Sequence, residues 1–200
     1  MSGQIPQSIN PISQVIYLFN YRQLLLRLVK RDIRGRYRGS MLGVLWSFVT
    51  PIILLLTFTF VFTVVFKARW GVELEQSRSV FALNLFVGLI MHGVIAEVLT
   101  RAPSMILSHE NYVKKVVFPL GILPLIPIGS AIFHALVSLV VLAMAQIFIT
   151  GGLPWTYAAF PLVIFPLLLI STGISWFLAS AGIYFRDIAQ TMGLVATILL

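Results

Sequence analysis

The sequence predicts an all-α, polytopic membrane protein, and three observations support this fold class. Apolar residues make up 59% of the 200 residues and charged residues only 10%, which leaves too little polar surface for a soluble domain. Two long stretches, 39–66 and 116–185, contain no Asp, Glu, Lys or Arg. Seven of the 14 basic residues precede the first stretch. A basic segment beside a hydrophobic one is typical of the cytoplasmic edge of a membrane span, and it argues against a nucleic-acid surface.

The apolar stretches are long enough for several spans. A helix needs about 20 apolar residues to cross the hydrocarbon core. Pro51 is expected to bend the first span, and the Gly-Gly-Pro segment at 150–154 is expected to separate the third span from the fourth. The 13 residues 188–200 are too few to cross and are interpreted as a truncated fifth span. The sequence thus predicts a transmembrane domain over 41–200, with spans at about 41–66, 79–100, 120–149, 157–184 and 188–200.

The N-terminal residues 1–40 are predicted to form a cytoplasmic tail and a basic interfacial helix. Polar side chains recur there every three or four residues, as on one face of an amphipathic helix lying in the membrane interface. Such a helix is either a plain topogenic anchor or a functional surface, and periodicity does not separate the two. The polar positions are Asn20, Gln23, Arg27, Lys30 and Arg34.

The basic residues also predict the orientation. With a cytoplasmic N-terminus, 11 of the 14 basic residues lie on the cytoplasmic side, whereas the outer loops hold only Lys67, Arg69 and Arg78. This bias favours a multi-pass protein whose N-terminus is cytoplasmic.

Few residues in the predicted spans can carry catalytic chemistry. They contain His92, His134 and, near one end, Glu97, without the spacing of a metal site. A packed histidine is the plain interpretation of His134. There is no cysteine and no phosphate-binding loop with Gly-Lys-Ser or Gly-Lys-Thr. We therefore expect no enzyme, metal or cofactor in this chain, and any ATP-driven work requires a partner that binds the nucleotide.

Three ordered motifs carry a resemblance to a known family. Residues 31–46 read RDIRGRYRGSMLGVLW and are followed by Pro51; residues 111–119 read NYVKKVVFP, and residues 184–188 read YFRDI. This series resembles type-2 ABC transporter permeases that export polysaccharides, namely O-antigen, capsule and teichoic-acid exporters. One departure is the pair Leu120 and Gly121, where many relatives carry charged residues.

The resemblance implies a six-span permease in the bacterial cytoplasmic (inner) membrane. It implies a homodimer with two copies of a separate ATPase subunit, which would bind ATP and Mg. The expected cargo is a polysaccharide on an isoprenoid diphosphate lipid, such as O-antigen. One alternative is a type-2 permease for a drug or small lipid, although the short first outer loop favours the polysaccharide branch. A less favoured alternative is a membrane-embedded enzyme of envelope glycan assembly.

The resemblance also assigns candidate residues. The polar segment 101–116 would be a coupling segment that docks on the ATPase, or else a plain connector. Arg34, Arg36 and Arg38 would compensate the lipid diphosphate at a lateral entrance, or else attract ordinary anionic lipid. Aromatic rings would stack on sugars in a channel, or else form lipid-facing bulk and an interfacial belt. The docking candidates are Ser108, His109, Glu110, Asn111, Tyr112 and Lys114, and the channel candidates are Trp46, Phe58, Phe62 and Phe66.

Overall fold

The structure is a computed structural model that describes residues 19–65, 75–109 and 118–200. Within these ranges it contains helices, turns and no strand. The helices longer than ten residues are α1 (Arg22–Arg36), α2 (Trp46–Phe60), α3 (Glu75–Arg101), α4 (Leu125–Thr150), α5 (Phe160–Tyr184) and α6 (Ile188–Ile198).

Four helical segments are long and apolar enough to cross a membrane. The predicted all-α polytopic membrane fold is therefore confirmed. The last helix, α6, is apolar but has only 11 residues. The four segments are Gly43–Phe60, Val80–Ser108, Leu120–Thr150 and Trp155–Tyr184.

Short elements extend or join these helices. A 3-10 turn, Ala102–Ser104, and a single helical turn, Met105–Ser108, continue the chain beyond α3. Further 3-10 turns at Leu120–Ile122 and Trp155–Ala159 lead into α4 and α5. Helix α2 runs through Pro51 and is followed by a π-helical segment, Val61–Val65.

The chain turns back between α4 and α5 at Gly151. This glycine has a φ of 78°, a left-handed conformation that a residue without a Cβ adopts at little cost. Its N–H bonds to the Ile147 carbonyl at 2.9 Å and so satisfies one of the orphan carbonyls at the end of α4. Pro154, which follows, has an extended backbone.

Helix α3 lies at the centre of the bundle and packs against α2, α4, α5 and α6. Its side chains Leu83 and Phe86 are each 1% exposed, and Val94 and Val98 are similarly buried. Burying side chains of this size contributes roughly 1.5–3 kcal/mol each in aqueous reference systems, and in lipid close packing takes over that role. The central position of α3 is what brings its polar residues between neighbouring helices.

Helix α1 packs its apolar side on protein. Leu28 is 5% exposed and belongs to a cluster with Met105, Ile122 and Ile126, while the predicted polar stripe is exposed. A Cβ added to Gly129 of α4 would lie 2.5 Å from a methyl carbon of Val29, so the bare glycine lets the two helices approach closely. The interfacial position of α1 stays a prediction.

Candidate functional site: a polar cluster between three helices

Seven polar side chains meet where α1, the C-terminal half of α3 and the first half of α4 come together. They form one connected set of ion pairs and hydrogen bonds, which we call the polar cluster. Charged groups at membrane depth are costly and usually mark function. The members of the polar cluster are Asp32, Arg36, Tyr37, Glu97, Arg101, Ser130 and His134.

Asp32 is held by two other helices. Its Oδ1 accepts a hydrogen bond from Arg101 Nη2 at 2.5 Å, and its Oδ2 accepts one from Ser130 Oγ at 2.6 Å. Burial raises the pKa of the Asp32 carboxyl, but the bonds from Arg101 and Ser130, together with the charges of Arg101 and Arg36, hold it below 3.8. Asp32 is therefore ionised at neutral pH, and it ties α1 to α3 and α4.

Glu97 is the most connected member of the polar cluster. Its Oε1 accepts from Arg36 Nη2 at 2.5 Å and from Arg101 Nη1 at 3.1 Å, and its Oε2 lies 2.8 Å from His134 Nδ1. Only 11% of the Glu97 side chain is exposed. The two carboxylates and two guanidiniums of the polar cluster balance in charge, which is the condition for keeping charges in a low-dielectric site.

His134 connects Glu97 to Tyr37. Because Nδ1 faces the Glu97 carboxylate, it carries the proton and donates, and Nε2 is left to accept from the Tyr37 hydroxyl at 3.1 Å. Burial raises the pKa of the Tyr37 phenol above 10.0, so the hydroxyl keeps the proton that it donates. His134 is thus bonded to residues from two other segments of the chain.

Exposure differs across the polar cluster. The Arg36 side chain is 37% exposed, whereas Arg101 is 25%, Asp32 17% and Glu97 11% exposed. Arg36 therefore lies at the rim of the cluster and the two acids lie inside it.

A cavity of about 400 Å³ opens beside the polar cluster, between α2, α3 and α4. Its polar side is formed by Arg36, Tyr37, Glu97 and His134. Most of the remaining lining is apolar and includes Leu54, Phe86, Ile90 and Ala135, and it also contains Ser47, Thr50 and Ser138. A space lined by both charged and apolar side chains suits an amphiphile.

The three arginines of the predicted entrance lie within the described residues. All three are exposed, and the described structure shows Arg36 paired with Glu97. Their role in recognising a diphosphate stays a prediction.

The docking candidates lie just beyond α3. Ser108 ends the helical turn and His109 follows it. The Ser108 hydroxyl donates to the Met105 carbonyl at 3.1 Å, and His109 Nδ1 lies 2.9 Å from the same oxygen. Four further candidates, Glu110, Asn111, Tyr112 and Lys114, lie outside the described residues.

The channel candidates belong to α2 and the π-helical segment after it. The Phe58 and Phe62 rings stack with centroids 6.3 Å apart, and Phe62 meets Phe81 of α3 edge-on at 5.1 Å. Trp46 is 39% exposed at the start of α2. Phe66 lies outside the described residues, and a channel role for the other three stays a prediction.

Sequence reasoning missed the polar cluster itself. From the sequence, Glu97 and His134 are treated separately, Arg101 is assigned only to the coupling segment 101–116, and Asp32 and Ser130 are given no role. One signal was available, because Asp32 is the single acid among the basic residues of α1. An isolated acid in a basic helix is expected to face inward, where it can form an ion pair with a cation of another helix.

Four helical segments of span length define a multi-pass membrane protein. Residues 23–200 match the sequence model of the ABC-2 type transporter family, and the chain belongs to that family. The family predicted from the three motifs is thereby confirmed.

Curated relatives cover nearly the whole chain. The O-antigen export system permease protein RfbA of Myxococcus xanthus is 31% identical over 185 residues, which are 90% of this chain and 66% of the relative. The protein of the same name from Klebsiella pneumoniae is 26% identical over 180 residues, or 89% and 65% of the two chains. The chain thus spans about two thirds of the length of these relatives.

Proposed function

We propose that the chain is the permease of an ABC exporter that moves a lipid-linked polysaccharide such as O-antigen across the bacterial inner membrane. The observation that carries this proposal is the ordered similarity to O-antigen export permeases over 90% of the chain. A drug or small-lipid permease has no specific observation in its favour.

The proposed working unit is a homodimer with two copies of a separate ATPase, which would bind ATP and Mg. The chain's N-terminus would be cytoplasmic, so that α1, the polar cluster and the segment 101–116 face the ATPase. Support for this placement comes from the excess of basic residues in those segments.

The proposed cargo carries an isoprenoid diphosphate. Arg34, Arg36 and Arg38 would compensate this charge at the entrance, since a guanidinium fork can bind phosphate oxygens in pairs. Aromatic side chains of the first span, among them Trp46, Phe58, Phe62 and Phe66, would hold sugar rings in the channel by stacking.

A gene deletion tests this function. Loss of an exporter of this kind should cause lipid-linked glycan to accumulate on the cytoplasmic leaflet and should deplete surface polysaccharide. A plasmid copy should restore both, and the purified permease should carry its ATPase with it. Normal surface glycan with accumulation of a drug or small lipid would instead favour the other type-2 permease class.

A further inference from the structure

Of the two arginines of the polar cluster, Arg36 is the one whose displacement leaves each acid with an arginine partner. If Arg36 departs, Glu97 keeps Arg101 at 3.1 Å and His134 at 2.8 Å. If Arg101 departed instead, both Asp32 and Glu97 would lose a guanidinium. An unpaired buried charge is expensive, so displacing the rim residue Arg36 costs less than displacing Arg101.

Arg36 also has room for another anion. It lies at the cavity of about 400 Å³, and its Nη1 is 3.4 Å from His134 Nδ1, a nitrogen that already donates to Glu97. Two donors facing each other do not form a hydrogen bond, so His134 does not serve as the acceptor for this Nη1, and the Arg36 side chain is left with the Tyr37 hydroxyl and Glu97 as its partners. An anionic oxygen placed in this part of the cavity would accept from Arg36.

The cavity selects for a lipid anion over a small one. Its walls at Leu54, Phe86 and Ile90 are apolar, so they accommodate hydrocarbon attached to the charged group. A phosphate or diphosphate carries more charge than one carboxylate and meets a guanidinium with paired hydrogen bonds. The exposed Arg34 and Arg38 add positive charge within two positions of Arg36 in the sequence.

We infer that Glu97 occupies the place of a phosphate-bearing lipid headgroup on Arg36 and competes with it, so that arrival of the lipid opens the Arg36–Glu97 pair. The inference rests on the proposed function for the identity of the transported lipid. After the exchange, Glu97 keeps Arg101 and His134, and Arg101 also holds Asp32 and directly precedes the turn Ala102–Ser104. Lipid binding thereby changes the ion pairs of Arg101, the first residue of the coupling segment 101–116.

The test compares the two partners of this ion pair in the purified full-length permease, held in phosphatidylcholine nanodiscs. The probes are a long-chain isoprenoid diphosphate and, separately, phosphatidylglycerol. Arg36→Gln removes the anion-binding fork and should weaken binding about tenfold. Glu97→Gln removes the competitor while its amide oxygen still accepts from Arg101, and it should tighten binding about threefold. Asp187→Asn, which neutralises an exposed acid before α6, should leave binding unchanged.

Lipid affinity should change with opposite sign in the two variants, becoming weaker for Arg36→Gln and tighter for Glu97→Gln. A merely structural ion pair would make both variants bind more weakly, and weaker or unchanged binding by folded Glu97→Gln overturns the inference. If Glu97→Gln does not fold, Glu97→Asp withdraws the carboxylate by one methylene and should still bind more tightly than the wild type. Weaker or unchanged binding by that variant overturns the inference equally.

The two probes separate the sources of the ligand. Preference for the isoprenoid diphosphate assigns the site to the transported lipid, and equal binding assigns it to a membrane phospholipid; both support a phosphate-lipid site. Binding of neither probe by a permease that still exports glycan overturns this inference and leaves the proposed function standing. Failure of the proposed function shows separately, as normal glycan export after gene deletion.

Discussion

Asp32 of α1 and Arg101 of α3 form a 2.5 Å hydrogen-bonded ion pair across 69 residues of sequence. The pair fastens the N-terminal helix to the end of the central span, next to the segment proposed to dock on the ATPase. Ser130 of α4 bonds the second Asp32 oxygen at 2.6 Å, so that three helices share one carboxylate.

Neutralising Asp32 should loosen α1. Asp32→Asn should lower the stability of the purified permease by about 1–3 kcal/mol, because the hydrogen bonds from Arg101 and Ser130 no longer reach a charged group and the half-buried guanidinium loses its counter-ion. Thermal unfolding in detergent measures this change, and limited proteolysis should cut α1 sooner. Asp187→Asn is the matched control and should leave both readings unchanged. An Asp32→Asn protein as stable as the wild type would contradict this role.

The same ion pair predicts a pH dependence. Because the pKa of Asp32 in the folded protein lies below 3.8, its ion pair contributes its full stability above that pH and loses it as the pH falls through the lowered pKa. Protection of α1 from proteolysis by pepsin, an acid-active protease, should thus be lost at a lower pH than the ordinary Asp pKa of about 3.9. In Asp32→Asn this part of the acid dependence should disappear.

Two glycines of α5, Gly182 and Gly173, differ in the space around them and provide a test variant and its control. A Cβ on Gly182 would overlap the backbone of Pro103, whereas a Cβ on Gly173 would meet nothing within 4 Å. Gly182→Ala should destabilise the permease by about 1–3 kcal/mol, since backbone must move. Gly173→Ala should be neutral or stabilising by up to about 1 kcal/mol, because alanine favours helix. Equal unfolding temperatures for the two variants would refute the close approach.

The contact between α1 and α4 predicts a rescue. Gly129→Ala places a methyl 2.5 Å from a carbon of Val29 and should lower stability, with a cost of about 1 kcal/mol or more. Val29→Ala removes the conflicting methyls, so the double variant should be more stable than the sum of the two single effects. A double-mutant cycle of unfolding free energies measures this coupling, and strict additivity would rule it out.

The coupling segment 101–116 is predicted to bind the ATPase through its charged side chains. Reversing its charges with Glu110→Lys and Lys114→Glu should abolish co-purification of the ATPase while leaving membrane insertion intact, because docking surfaces rely on complementary charge. Membrane fractionation with pull-down of a tagged permease measures both. Undiminished recovery of the ATPase would show that the segment is a plain connector.

Conservative changes of the entrance arginines test recognition of phosphate. Arg36→Lys and Arg38→Lys keep the charge but lose the planar fork, so bidentate recognition predicts a reduction of glycan export by about tenfold or more. General attraction to anionic lipid predicts no change. Surface glycan in a complemented deletion strain distinguishes the two, and normal export by both variants would exclude a recognition role.

Much of the fold could be predicted from local patterns. The uncharged stretches predicted helices long and apolar enough to cross a membrane, because a helix in lipid must be apolar along its length. The glycine pair at 151–152 coincides with the end of α4 because a left-handed residue stops a helix. The exposed stripe of α1 was equally visible, since Arg27, Lys30 and Arg34 recur at helical spacing.

The sequence by itself determined the helical membrane fold, the order of the spans and the family. Only the tertiary structure decided which charges pair. Asp32 and Arg36 stand four residues apart on α1, a spacing that suits an ion pair within one helix, yet the structure pairs Asp32 with Arg101 and Arg36 with Glu97. The reason is that pairing depends on how far each helix is rotated and how closely it packs. Those quantities come from contacts such as Val29 on Gly129, between residues 100 positions apart in the chain.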